Sequence, residues 1–149
     1  MEIALHQAYQ ELPGKDDRPD FKMVYEYPLS GTPPMMTHIF ENASGVRMVA
    51  AKGAPEAMLS VCMLSNVEKE SILKPVNEFT KKGYRVLGVG QSSFSANQFP
   101  ETQQQIEFRF VGLIAFYDPA KHNIRSVLES FYRAGIQIKI ITGDNAATT

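Results

Sequence analysis

Lys52-Gly53-Ala54-Pro55-Glu56 sets an ammonium, a residue without a Cβ and a helix-starting proline within five consecutive positions. An apolar run, Val46 to Ala51, leads into them, so the segment reads as a strand turning into a helix. Lys52 supplies the compact charge that a phosphate or nucleotide pocket uses. Gly53 lets a backbone approach a ligand closely, and Pro55 suits the first helical turn, where its missing N–H is no loss. An ordinary strand-to-helix turn with a solvated lysine has the same local sequence, and both readings stand on these residues alone. A second set of chemically capable residues lies near the C-terminus. Asp118 and Thr142-Gly143-Asp144 each follow an apolar run of strand length, Val111 to Tyr117 and Ile136 to Ile141. In a strand–helix–strand unit the two strands are parallel and their C-terminal ends share the edge where open α/β sheets bind ligands. Two carboxylates beside helix-start N–H groups can hold Mg²⁺ and a phosphoryl group there. The same residues also fit plain structural duties, Asp144 as a helix N-cap and Asp118 as the first residue of an Asp-Pro turn.

Other candidates carry less. Lys81, Lys82 and Arg85 form a charge cluster, which usually means a solvated surface. His6, His38 and His122 have no metal-ligand spacing with one another or with Cys62, so they read as solvated or internally satisfied side chains. Phe21, Tyr25 and Tyr27 lie at even spacing and read as a sheet face rather than a base-stacking platform. No Ser-His-Asp or Cys-His arrangement stands out.

The elements that must position these residues follow from periodicity. Glu2 to Tyr9 reads as a short helix and Pro13 to Asp20 as a charged loop. Phe21 to Tyr27, Met36 to Phe40 and Val46 to Lys52 read as strands, the last two as a hairpin through Glu41 to Gly45. Ala54 to Met63 reads as a short helix. Ser65 and Glu68 have capping-box spacing for a second helix that ends at Gly83, with a break expected at Pro75. Tyr84 to Phe94 is a strand, Ser95 to Gln105 a polar loop, and Ile106 to Phe110 alternates as a half-buried strand. From Val111 the pattern changes to a continuously apolar strand, a helix over Asn123 to Ala134 and an apolar strand over Ile136 to Ile141, a βαβ unit. The expected fold is therefore α/β in the α+β sense: a mainly antiparallel sheet with helices, then a partial Rossmann-like βαβ unit. The boundary is expected near residue 112, giving units 1–112 and 113–149.

Composition bounds the function. The chain has 149 residues, 44% hydrophobic and 21% charged, as a globular domain does. A formal net charge of −1 gives no electrostatic case for nucleic acid or an anionic membrane surface. The single cysteine, Cys62, cannot form an internal disulfide and fits a buried thiol in a reducing compartment. No apolar run reaches membrane-spanning length, and no signal peptide is expected.

Taken together and in order, these motifs resemble the P-type ATPases, ion pumps that form an aspartyl-phosphate. Lys52-Gly-Ala-Pro-Glu is similar to the nucleotide-domain motif of the calcium-pump-like branches. Gly83-Tyr84-Arg85-Val86-Leu87 resembles the Gly-x-Arg-Val-Leu segment, whose arginine contacts nucleotide phosphate. Glu2-Ile3-Ala4-Leu5 resembles Glu-x-Ala-Leu, whose glutamate lies at the adenine end. Asp118-Pro119 and Thr142-Gly143-Asp144 resemble two phosphorylation-domain motifs. The resemblance implies a twisted antiparallel sheet flanked by helices as the nucleotide-binding domain, followed by the start of the phosphorylation domain. It implies ATP and Mg²⁺ as ligands, with Glu2, Leu29, Lys52, Gly53 and Arg85 about the nucleotide. Asp118, Thr142, Gly143 and Asp144 would serve the phosphoryl and magnesium site, with Asp144 as the metal ligand. It further implies a cytoplasmic domain of a cation-transporting protein in the cell membrane. Its partners would be nucleotide and the rest of the pump, its phosphorylation, actuator and membrane domains, with self-association of the separate fragment as a further expectation.

Three departures bear on function. The Asp-Lys-Thr-Gly-Thr motif, whose aspartate accepts the phosphoryl group, is absent from this sequence, so this fragment alone is expected to bind nucleotide without hydrolysing it. Aligning Met36 with the family's methionine puts Leu29 where an adenine-stacking phenylalanine is usual and Pro34 where a basic residue is usual; leucine offers apolar contact but no π-face. Lys121 stands where Asp-Pro-Pro-Arg has arginine, keeping the charge but losing the bidentate fork. Two alternatives remain: a regulatory or interaction module with a degenerate nucleotide site, and a fragment of a haloacid-dehalogenase-like phosphatase. The second needs a strand ending in Asp-x-Asp, which this chain lacks, since Asp16-Asp17 sits in a polar loop.

Overall fold

The computed structural model describes residues 2–14, 16–93, 98–139 and 141, with the backbone alone for Glu2. In chain order the elements are α1 (Glu2–Gln10), β1 (Phe21–Ser30), β2 (Met35–Asn42), β3 (Arg47–Gly53), α2 (Pro55–Val61), α3 (Asn66–Lys81), β4 (Arg85–Ser92), β5 (Arg109–Phe116) and α4 (Ile124–Arg133). The five strands form one open sheet in sequence order, and every neighbouring pair is antiparallel. The fold is α+β.

Alternation along the strands divides the sheet into two unlike faces. Met35, Thr37 and Ile39 of β2 and Val49 and Ala51 of β3 are buried on one face. That face is closed by α2, through Ala57 and Met58, and by Ile106 and Phe108. Close packing of α2 depends on missing side chains in β4. A Cβ at Gly88 would lie 2.9 Å from the Met58 Cβ, and one at Gly90 would lie 2.5 Å from the Met58 Cε. The alternate residues Met36, His38, Ala50, Lys52, Leu87 and Val89 fall on the opposite, less covered face and are half-buried.

Local chemistry sets the helix ends. Pro55 occupies the first turn of α2. Ser65 and Glu68 form the expected capping box of α3, the Ser65 N–H donating to the Glu68 carboxylate at 2.8 Å. The Ser65 hydroxyl holds the Glu68 carboxyl below its ordinary range. Gly83, at φ +81°, follows the end of α3 in the left-handed region that glycine tolerates. The break expected at Pro75 does not occur: α3 runs unbroken from Asn66 to Lys81, at the loss of the bond that the missing Pro75 N–H would make.

The C-terminal part departs from expectation. Val111 to Phe116 does not stand apart from the antiparallel sheet; it is the body of β5 and pairs with β4, Arg85 opposite Phe116 and Val89 opposite Gly112. A register irregularity at Val89/Gly90 leaves Val111 outside the pairing and exposed. That bulge shifts the side-chain alternation along the strand, so the sequence reads as continuously apolar. The helix expected after it forms as α4. The strand expected next does not form over Ile136 to Lys139, which carry no regular structure. No parallel neighbour is paired with β5 among the described residues, and a strand without a ladder leaves its backbone groups unbonded. The apolar side of α4 is uncovered, with Ile124, Val127, Phe131 and Tyr132 all exposed.

Candidate functional site

The less covered sheet face holds a cleft of about 170 Å³ lined by Leu5, Met36, His38, Ala50, Ala51, Lys52, Leu87, Val89 and Ile114. Each strand contributes through its register. Met36 of β2 lies opposite Lys52 of β3, which lies opposite Val89 of β4. One step along, His38 faces Ala50; in the other direction Leu87 faces Ile114. Arg85 lies two residues before Leu87, on the same face and exposed, at the start of β4. The row His38, Lys52, Leu87, Arg85 therefore runs diagonally across the face, with Lys52 between the imidazole and the guanidinium. The walls are otherwise apolar, so the cleft offers a flat hydrophobic slot with cationic groups along one direction.

α1 forms the remaining wall through Leu5, the one half-buried side chain among residues 3–10. Its far end is tied to the charged loop by Arg18. This guanidinium lies 4.4 Å over the Tyr9 ring, donates to His6 Nδ1 at 2.7 Å and is paired with Asp16 at 2.7 Å. The Arg18 bond holds the Asp16 carboxyl below its usual range. Glu2 begins the same helix, three residues before Leu5, which brings its backbone to the cleft end of α1.

Gly53 meets a packing need of the strands. Its missing side chain is on the closed face, where a Cβ would lie 2.6 Å from the Met35 Cβ and 2.7 Å from the Pro34 carbonyl oxygen. The adjoining Ala54 N–H donates to that carbonyl at 3.0 Å. Close approach of β2 to the end of β3 thus requires glycine, and it sets the position of Lys52 one residue earlier.

Leu29 lies near the end of the edge strand β1, is 65% exposed and is not among the described residues lining the cleft. Asp118 follows β5 and is exposed. Thr142, Gly143 and Asp144 lie outside the described residues. Among the described residues no group of three or more His, Cys, Asp and Glu side chains is placed to hold a metal ion. Cys62 is buried on the closed face, where burial pushes its thiol up from its ordinary range.

Ala50, Val89 and Ile114 line the cleft without belonging to any motif, Leu5 and Leu87 close two motif segments without being candidate site residues, and His38 reads from the sequence as a solvated or internally satisfied side chain. The signal for them is alternation. Once Met35, Thr37 and Ile39 point to the core, Met36 and His38 must point to the other face. A larger cleft of about 530 Å³, bordered by Met63, Gln91, Glu107 and Arg109, lies elsewhere; its arginine is engaged by Gln91 at 3.1 Å. It includes none of the residues of the phosphate-binding motifs.

The sequence matches the family described as P-type ATPase, cytoplasmic domain N, over residues 1–123. It is 30% identical over 159 residues to the sodium/potassium exporting P-type ATPase cta3 of Schizosaccharomyces pombe, covering 99% of this chain and 15% of that protein. It is 27% identical over 163 residues to the sodium/potassium exporting P-type ATPase 1 of Saccharomyces cerevisiae, covering 94% of this chain and 15% of the relative. To a calcium-transporting ATPase of Bacillus subtilis it is 25% identical over 140 residues, covering 87% of this chain and 16% of the relative. No described helix is long and apolar enough to cross a membrane. With an uncovered sheet face, a lysine-bearing cleft upon it and a family match over most of its length, the chain belongs to the P-type ATPase cytoplasmic N domains.

Proposed function

We propose that this chain binds ATP in the open-face cleft and presents it, as MgATP, for phosphoryl transfer within a cation-transporting P-type ATPase. One observation carries the proposal: Lys52 lines an apolar cleft beneath the helix that begins with Glu2, with Arg85 farther along the same sheet face. The base would occupy the apolar slot, bordered by Glu2 and by Leu29 at the sheet edge. Lys52 and Arg85 would draw the phosphates along the face. Gly53 contributes by fixing the backbone that carries Lys52.

The phosphates would then leave the cleft toward a second site, where Asp118, Thr142, Gly143 and Asp144 serve Mg²⁺ and the transferred phosphoryl group, with Asp144 as metal ligand. Mg²⁺ supplies charge neutralisation on the phosphate oxygens when bound. The five-stranded sheet through Phe116 would belong to the nucleotide-binding unit, and the chain after β5 would be the start of the phosphorylation domain, a boundary a few residues beyond the expected 112. The accepting aspartate, the actuator and the membrane domain would come from the rest of the pump in the cell membrane. The ion moved is proposed only as a cation; the relatives' names include sodium/potassium export and calcium transport.

Calorimetric titration of the chain with ATP and MgATP tests this reading. Saturable binding without turnover is the expected result. Absence of binding would favour an interaction module with a degenerate site, a reading that the exposed position of Leu29 suits.

A further inference from the structure

We propose that His38 is the ring against which the nucleotide base packs in this chain, and thus a base-binding residue of the cleft. The inference rests on the nucleotide-binding reading above and deepens it. Among the described residues lining the cleft, His38 supplies the only ring; the others are aliphatic side chains, Met36 and Lys52. A flat heteroaromatic base gains more from a π-face than from aliphatic contact alone, and base–aromatic stacking tolerates any base with a π-face. Leu29 has no ring to offer and stands outside the cleft lining.

The imidazole is held for such a role. Its edge meets the Phe40 ring at 82° with centroids 5.9 Å apart, and Nε2 lies 3.7 Å from a Glu26 carboxylate oxygen. Phe40 and Glu26 come from the same strand and from the adjacent one, so the ring is braced along the sheet and across it. The side chain stays 26% exposed and borders the cleft. His38 also lies one pairing step from Lys52, on the side away from Arg85. A nucleotide whose phosphates run past Lys52 toward Arg85 would place its base at His38.

The test compares ATP, adenosine and tripolyphosphate on the whole chain and on His38→Leu and His38→Phe, with circular dichroism confirming each fold. The inference expects His38→Leu to weaken ATP and adenosine by a similar factor, about three- to tenfold, leaving tripolyphosphate unchanged. His38→Phe should restore most of the loss. In the unaltered chain the His38 ring proton resonances should move upfield with adenosine and not with tripolyphosphate. Equal ATP affinity in the unaltered chain and His38→Leu, with unmoved His38 resonances, would overturn the inference while leaving nucleotide binding in place. Failure of ATP to bind the unaltered chain would overturn both. If either variant fails to fold, the ring-proton shifts in the unaltered chain decide the matter.

Discussion

The backbone of Met35 occupies the space that a side chain on Gly53 would need: a Cβ there would lie 2.7 Å from the Met35 Cα and 2.6 Å from its Cβ. β2 and β3 therefore approach at their paired ends only because residue 53 has no side chain, and Lys52 is carried into the cleft as a result. Gly53→Ala should destabilise the chain by about 1–3 kcal/mol, the usual consequence of overpacking a tight site. Thermal melting measures this directly, and an unchanged melting temperature would show that the strands part without strain. ATP affinity of the folded fraction should also fall, since Lys52 shifts with its neighbour.

Lys52→Ala should weaken ATP while leaving the fold intact, because the ammonium lies at the cleft rather than in the closed core. A charge-assisted hydrogen bond contributes roughly 1.5–3 kcal/mol, and solvent access places this one at the lower end, near a tenfold change. Calorimetry beside circular dichroism checks both halves of the prediction.

Arg18→Ala should loosen α1, since Arg18 joins the Tyr9 ring and His6 on that helix to Asp16 in the loop. Hydrogen exchange over residues 2–10 should quicken, and ATP affinity should fall with it as Leu5 ceases to wall the cleft. Faster exchange with unchanged affinity would show that α1 is not part of the site.

The Ser65–Glu68 capping box should make α3 pH-sensitive. The Ser65 hydroxyl and N–H lower the folded-state pKa of Glu68. A carboxyl lowered on folding adds stability above its unfolded value and loses it as pH falls through the folded value. The stability gap between the unaltered chain and Glu68→Ala should therefore be full at neutral pH and shrink below the carboxylate range. A gap independent of pH would contradict this. Guanidinium melts across that range supply the measurement.

Cys62 should resist alkylation in the folded chain, being 5% exposed with its thiol pushed up by burial. Its neutral form is favoured on folding, so that contribution is present below the unfolded value and lost as pH rises through the folded one. Iodoacetamide labelling should be slow in buffer and rapid in denaturant.

The legible parts of this molecule were those fixed by local rules. Pro55 at the start of α2, the Ser65 cap and the Gly83 end of α3 depend on a few adjacent residues, and the sequence states them. Lys52 at the end of β3 was legible for the same reason. Met36 to Phe40 was legible as a strand, but not which of its faces stays open, and so not the place of His38. Which face stays open depends on where α2 packs, and that depends on Gly88 and Gly90, remote from β2 in sequence. The packing role of Gly53 is not legible in the sequence, because the group it admits is a neighbouring strand, visible only in the register. The C-terminal expectation failed over Ile136 to Lys139 because apolar content alone does not supply a pairing partner. Gly112 to Phe116 is drawn instead into the antiparallel ladder with β4.

The central claim, nucleotide on the open sheet face, is tested most directly by amide and methyl NMR during an ATP titration. Saturable shifts should appear at Met36, His38, Lys52 and Leu87, with the closed-face residues Val49 and Met58 nearly still. Shifts confined to Met63, Gln91 and Arg109 about the larger cleft, or none at saturating ATP, would contradict it.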